Sequence, residues 1–261
     1  MRKEEDQKLD VFVVGAGNIG MHLIKLLQSN ERVSPYRLIG YCKSQSLCTL
    51  SNETLQLGAL EPCPNVLEQV LVFLKGRTRR CAVVDCSASP LVPAHLYRPL
   101  LEDMRSHSLV LCNKIGLCGS LDLFRALNGT SRFEATVMAG VPVIRTIQSL
   151  RSSLGDRIVQ IEAVLSGTLS FIFNTFCSSK EEEVVGKVGK VDFGQIVQEA
   201  VERGYAEPDF WIDLSGLDVA RKMVGRDEET REGGREGGVV WIRLLILHIF
   251  YILHSTFYNY S

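Results

Sequence analysis

The sequence predicts an α/β fold, a parallel sheet covered by helices on both faces, followed by a smaller α+β unit. Three observations predict it. Apolar runs such as Asp10-Val-Phe-Val-Val14 are continuous rather than alternating, as in strands buried on both faces. These runs alternate with helical periodicity, for example Ile19, Leu23, Ile24 and Leu27. A glycine-rich turn separates the first strand from the first helix.

The elements follow in order. After Asp10–Val14 and its helix, a second strand is expected over Tyr36–Cys42 and a third over Cys81–Val84. A helical pattern near 92–105 leads into a fourth strand, Ser108–Cys112. Beyond about residue 145 the pattern changes. A helix over 142–153 precedes a strand over Arg157–Leu165, then helices from about Thr168, over 192–203 and over 215–223. Two domains are therefore expected, over 9–145 and 146–224.

Composition bounds the function. The 261 residues are 46% hydrophobic and 23% charged, with a formal net charge of −1, which is globular composition. A near-neutral chain lacks the basic stripe of nucleic-acid binders, so no nucleic-acid partner is expected. Eight cysteines without a C-x-x-C pair read as reduced, buried side chains of a cytoplasmic protein. MRKEEDQKLD has neither an apolar signal core nor an acid-poor transit pattern; an organellar location would need a leader that precedes it.

Residues 225–261 form a tail expected to lie outside the fold. GRDEETREGGREGG is low in complexity and cannot build a core. VVWIRLLILHIFYIL is apolar all round yet shorter than the roughly 20 residues of a membrane span. The two tracts together read as translated non-coding sequence, with a tail anchor as the alternative.

Val14-Gly15-Ala16-Gly17-Asn18-Ile19-Gly20 places G-x-G-x-x-G between strand and helix, the context that makes this motif specific for a dinucleotide. The first glycine makes the turn and the second lets a pyrophosphate approach. The third lets helix pack on strand, and the helix N-terminus offers N–H groups to phosphate. The domain therefore reads as a Rossmann-type NAD(P)-binding domain. The second strand ends Cys42-Lys43-Ser44, without the acid that would bind a ribose diol. Lys43 and Ser44 favour NADP(H) over NAD(H), unless Lys43 is simply an exposed strand-end lysine. Asp85-Cys-Ser87-Ala88-Ser89-Pro90, at a strand's carboxyl end, can line the nicotinamide side or equally cap a helix.

Four segments together resemble homoserine dehydrogenase: Leu111-Cys-Asn113-Lys114, the run Phe133–Val143, Leu165-Ser-Gly167-Thr168, and GYAEPDFWIDLSGLDVARK at 204–222. Order and spacing match over roughly residues 10–224. The resemblance implies NAD(P)H-dependent interconversion of aspartate 4-semialdehyde and homoserine, in threonine, methionine and isoleucine biosynthesis. It implies a substrate and dimerisation domain, incomplete here, and a homodimer. It places catalytic lysines at Lys114 and Lys222, with Asp218 beside the latter. Substrate binding falls on Gly167, Thr168, Tyr205, Glu207 and Asp213. Cofactor binding falls on Gly15, Ala16, Gly17, Asn18, Ile19, Gly20, Lys43, Ser87, Ala88 and Lys114. A monovalent cation such as Na+ would sit near Glu134, Val137, Ala139 and Val141, mostly on carbonyls. Three positions depart from the family pattern: Phe210-Trp211-Ile212 replaces Pro-Arg-Asp, Met138 a common glycine, and Ile115 a second lysine.

The chemistry suits these residues. Carbonyl reduction builds negative charge on oxygen, which an aimed ammonium stabilises. Asp218 and Lys222, four apart, share a helical face, as an ordinary surface ion pair also would. Glu207 and Asp213 would bind the substrate ammonium, and the Gly167-Thr168 helix start its carboxylate. The alternatives are a non-catalytic dinucleotide-binding module and a membrane-tethered enzyme.

Overall fold

The computed structural model describes residues 8–29, 34–50, 58, 60–103, 107–152, 158, 160–184, 192–206, 210–224 and 241–244. The chain divides into two units, Met1–Val143 and Ile144–Ser261.

The first unit is built on β1 (Leu9–Val14), whose last five residues are buried, as a strand covered on both faces must be. It runs parallel to β2 (Tyr36–Lys43) on one side and to β5 (Cys81–Asp85) on the other. β6 (His107–Leu111) extends the sheet in parallel beside β5. On the far edge β3 (Ser46–Thr49) and β4 (Glu61–Pro62) add antiparallel strands, giving the order β4-β3-β2-β1-β5-β6. The parallel core is the anticipated one. The antiparallel extension is not: four- and two-residue strands are too short to carry a periodic signal.

Because β1 is flanked by strands reached in opposite directions, the carboxyl ends of β1, β2 and β5 border a topological switch point, where open α/β sheets take their ligands. Helix α1 (Asn18–Ser29) lays Gly20 and Ile24 on the sheet, and α2 (Val66–Lys75) lays Val66, Val70 and Leu74 there, both at four-residue spacing. Phe12, Val13, Ile39, Leu109 and Leu111 complete a core with essentially no exposure. At the opposite end the buried Asp10 carboxylate accepts from Arg37 at 2.9 Å and from Arg77 at 2.8 Å, with Arg79 at 3.9 Å. After β5 the chain makes a π-helical turn, Pro93–Tyr97, continued by α3 (Arg98–Glu102). After β6 come α4 (Ile115–Gly119), α5 (Leu121–Asn128) and a 3₁₀ turn at Glu134–Thr136.

α6 (Val143–Ser152) leads into the second unit. It contains β7 (Gln160–Ala163), α7 (Gly167–Val184), α8 (Phe193–Glu202), α9 (Phe210–Leu214) and α10 (Leu217–Val224). Ile172 of α7 packs on Ile196, Val197 and Ala200 of α8, and Phe176 meets Phe193 edge-on at 5.4 Å. Within the stretch the sequence placed outside the fold, Trp241–Leu244 forms β8, parallel to β7. Among the described residues no helix is long and apolar enough to cross a membrane. The rest of 239–253 lies outside them.

Candidate active site

The glycine loop is built as its spacing requires. Gly15 sits at φ +86°, a conformation that costs a side-chain-bearing residue, and a Cβ there would lie 2.7 Å from the Ser87 backbone. A Cβ on Gly20 would fall 2.1 Å from the Gly15 carbonyl oxygen, so only glycine lets α1 pack this closely. Gly17 differs: its missing Cβ faces open space, with nothing within 4 Å. Gly17, Asn18 and Ile19 are all exposed at the N-terminus of α1, the arrangement that admits a phosphate to free N–H groups. A groove of about 690 Å³ runs beside this loop, lined by Gly15, Lys43, Ser44, Ser87 and, from α2 and the π turn, Leu67, Leu71 and His95. A nicotinamide dinucleotide fits these residues. The lining from α2 and the π turn was not anticipated, because it carries no motif.

In the segment after β5, Ala88 is exposed and Ser87 half-buried. The Ser87 N–H donates to Asp85 Oδ1 at 2.8 Å. Asp85 Oδ2 accepts from the Tyr97 hydroxyl at 2.6 Å and from Asn113 Nδ2 at 3.1 Å. Burial pushes the Asp85 carboxyl above its ordinary pKa, opposed by these donors. Cys112 and Asn113 donate their N–H groups to the Asp85 carbonyl, and Asn113 Oδ1 caps the Ile115 N–H at 3.0 Å. Lys114, half-buried, is thereby carried between two anchored residues. Nearby, the Cys86 thiol points at Cys112 Sγ at 4.0 Å, which lowers the Cys112 pKa and raises that of Cys86.

The segment expected to hold a cation forms a tight turn. Met138 and Ala139 adopt φ +56° and +49°, so Met138 takes the left-handed conformation that a glycine would favour. Glu134 and Val141 carbonyls each accept a backbone N–H, from Val137 and Val143. Among the described residues no three His, Cys, Asp or Glu side chains cluster as metal ligands.

In the second unit Ser166 caps α7 by accepting from the Leu169 N–H at 3.0 Å, which leaves Gly167 and Thr168 in its first turn. The Thr168 hydroxyl donates to the Tyr205 carbonyl at 2.5 Å. Tyr205 is placed there by a Schellman turn ending α8, with Gly204 at φ +71° and the Tyr205 N–H on the Ala200 carbonyl at 2.8 Å. Asp213 lies buried in α9. On α10, Lys222 Nζ sits 2.5 Å from Asp218 Oδ2 and donates to the Leu165 carbonyl at 2.6 Å. Asp218 and Lys222 side chains are only 24% and 15% exposed, so this pair is more than a solvated i,i+4 bridge. The structure thus brings Lys222, Asp218 and the start of α7 together. Glu207 lies outside the described residues. The Leu165 carbonyl, a backbone group, had no sequence signal.

Residues 142–225 match the family model described as homoserine dehydrogenase. A homoserine dehydrogenase of Paracoccidioides brasiliensis is 32% identical over 238 residues, covering 81% of this chain and 61% of the relative. The chain belongs to the homoserine dehydrogenase family. A bifunctional aspartokinase/homoserine dehydrogenase, chloroplastic, of Daucus carota is also 32% identical, over 82% of this chain. The chain spans 24% of the length of that carrot protein, and about three-fifths of the fungal homoserine dehydrogenase. A hyperthermophilic archaeal homoserine dehydrogenase solved with NADPH shares the fold, with a TM-score of 0.62 at 21% identity, covering 84% of this chain and 69% of that one.

Proposed function

We propose that this member of the homoserine dehydrogenase family interconverts L-aspartate 4-semialdehyde and L-homoserine with NADP(H) in preference to NAD(H). The observation that carries the reading is the Lys222 ammonium, held between the Asp218 carboxylate and the Leu165 carbonyl beside the start of α7. Lys43 at the groove, in place of a ribose-binding acid, supports NADP(H). The solved archaeal relative binding NADPH agrees with it.

A bound nicotinamide dinucleotide would supply the hydride. Lys222 stabilises the negative charge that builds on the substrate oxygen and gives it a proton. Asp218 and the Leu165 carbonyl fix the direction of that ammonium. Gly167 and Thr168, in the first turn of α7, receive the substrate carboxylate on backbone N–H groups. Asp213 and Glu207 pair with its ammonium, and Tyr205 borders the same segment. Lys114 faces the reacting end of the cofactor together with Ser87 and Ala88, while Gly15 to Gly20 hold its phosphates. Glu134 and the carbonyls of Val137, Ala139 and Val141 would hold a monovalent cation such as Na+, as the resemblance implies.

The domains would be the dinucleotide-binding 9–145 and the substrate-binding 146–224. Exposed Trp211 and Leu217 support a homodimer through the second of these. Eight free cysteines support a reducing, cytoplasm-like compartment. The test is a substrate panel: L-homoserine, L-serine and L-threonine, each with NADP+ and NAD+, followed by coenzyme reduction. Oxidation of L-homoserine alone, faster with NADP+, is expected. Oxidation of a different hydroxy amino acid in its place overturns the reading.

A further inference from the structure

The residues on either side of Lys114 are anchored through Asp85 and Tyr97. On its N-terminal side Asn113 is 3% exposed and donates to Asp85 Oδ2 at 3.1 Å, to Ser89 O at 3.1 Å and to Ser87 Oγ at 3.3 Å. On its C-terminal side Gly116 lies against the Tyr97 ring: a Cβ at Gly116 would be 2.3 Å from Tyr97 Cε2. The two anchors are one device, because the Tyr97 hydroxyl donates to Asp85 Oδ2 at 2.6 Å. Tyr97 is 1% exposed and ends the π-helical turn at Pro93–Tyr97. Single π turns of this kind recur at functional sites, where they redirect a side chain. Asp85 in turn holds Ser87 through its other oxygen, at 2.8 Å.

We propose that Tyr97 and Asp85 are positioning residues for the reaction: the chain from the Tyr97 hydroxyl through the Asp85 carboxylate to the Asn113 amide sets Lys114 and Ser87 in register at the carboxyl ends of β5 and β6. The role of Lys114 rests on the function proposed above; the clamp on its backbone does not. A buried carboxylate that accepts from three donors on three segments locks all three at once, since releasing any one leaves a buried polar group without its partner. The effect on chemistry is through placement, where displacements of about 1 Å cost up to about 100-fold in rate.

The test uses the full chain with Tyr97→Phe, which removes one hydroxyl and keeps the ring on Gly116, and with Asp85→Asn, which turns an amide N–H toward the Asn113 amide. Amide hydrogen exchange at Ser87 and Ile115 reads the clamp without catalysis, and steady-state kinetics reads its consequence. Faster exchange confined to residues 86–89 and 113–117 is expected in both variants. A kcat for L-homoserine lowered about 10-fold in Tyr97→Phe, with KM nearly unchanged, is expected alongside it. Adding Asn113→Asp to Asp85→Asn restores a donor–acceptor pair in the reverse direction and should recover part of the protection. Unchanged exchange in these two segments overturns the proposal, as does faster exchange spread evenly over the whole chain. Local loosening with an unchanged kcat also overturns it. A wild-type chain inert toward L-homoserine, with local loosening intact in the variants, instead overturns the function and leaves the clamp standing.

Discussion

Lys222 donates to the main-chain carbonyl of Leu165 at 2.6 Å, across 57 residues of sequence. That bond ties the last turn of α10 to the residue just before the cap of α7, and Asp218 closes on the same ammonium at 2.5 Å. Replacing Asp218 by Asn keeps the shape and removes the charge that orients Lys222. The expected result is a kcat lowered about 10- to 100-fold, within the range of a disturbed general acid. Because the amide keeps the size and the accepting oxygen of the carboxylate, the thermal midpoint should move less than the rate does. Kinetics and a melting curve on the same preparation check both.

Two glycines of the loop should respond in opposite ways. Gly17→Ala meets open space, so the fold should persist while NADPH affinity, read by fluorescence titration, falls about 10-fold or more through the lost phosphate approach. Gly20→Ala drives a Cβ to 2.1 Å from the Gly15 carbonyl oxygen, so α1 must shift and the melting midpoint should fall sharply.

Lys43 is exposed at the end of β2 and lines the groove. Lys43→Ala should weaken NADPH binding by roughly 10-fold, the size of one charge-assisted hydrogen bond, and leave NADH binding nearly unchanged. The ratio of the two dissociation constants is the readout.

Asp10 is fully buried under Arg37 and Arg77. Asp10→Asn leaves these guanidinium groups at an uncompensated site and should cost about 3 kcal/mol, within the range for breaking a buried ion pair. Urea unfolding followed by circular dichroism measures it.

His107 is buried, and among the described residues neither ring nitrogen has a hydrogen-bond partner. Burial lowers its pKa below 6.5, against the opposing pull of Asp103. Below pH 6.5 the unfolded chain therefore binds a proton that the folded chain refuses. Stability contributed by this residue is present above that pH and is lost as pH falls toward the lowered folded value. His107→Phe should flatten the fall of the urea midpoint between about pH 7 and pH 5 relative to the parent.

Much of this site was legible because its residues are local signals. The glycine loop shows itself by spacing, strand context and the helix after it. The Asp218–Lys222 pair follows from a four-residue helical interval. Tyr97 was not legible: it meets Asp85 from the end of a π turn, and no periodicity specifies such a turn. The Leu165 carbonyl was invisible for a different reason, since backbone acceptors are the same at every residue. The β3–β4 extension escaped because strands of four and two residues carry almost no pattern. Asp85 stood within a quoted motif, yet its side chain carried no expected role; it accepts from Ser87, Tyr97 and Asn113.

The most direct test compares the full chain with Lys222→Ala in NADP+-dependent oxidation of L-homoserine, with NADPH affinity measured on both. The account predicts an active parent, a variant slowed at least about 100-fold, and equal NADPH affinity in the two. A variant as active as the parent would contradict it, and so would a folded parent that binds NADPH yet never oxidises L-homoserine.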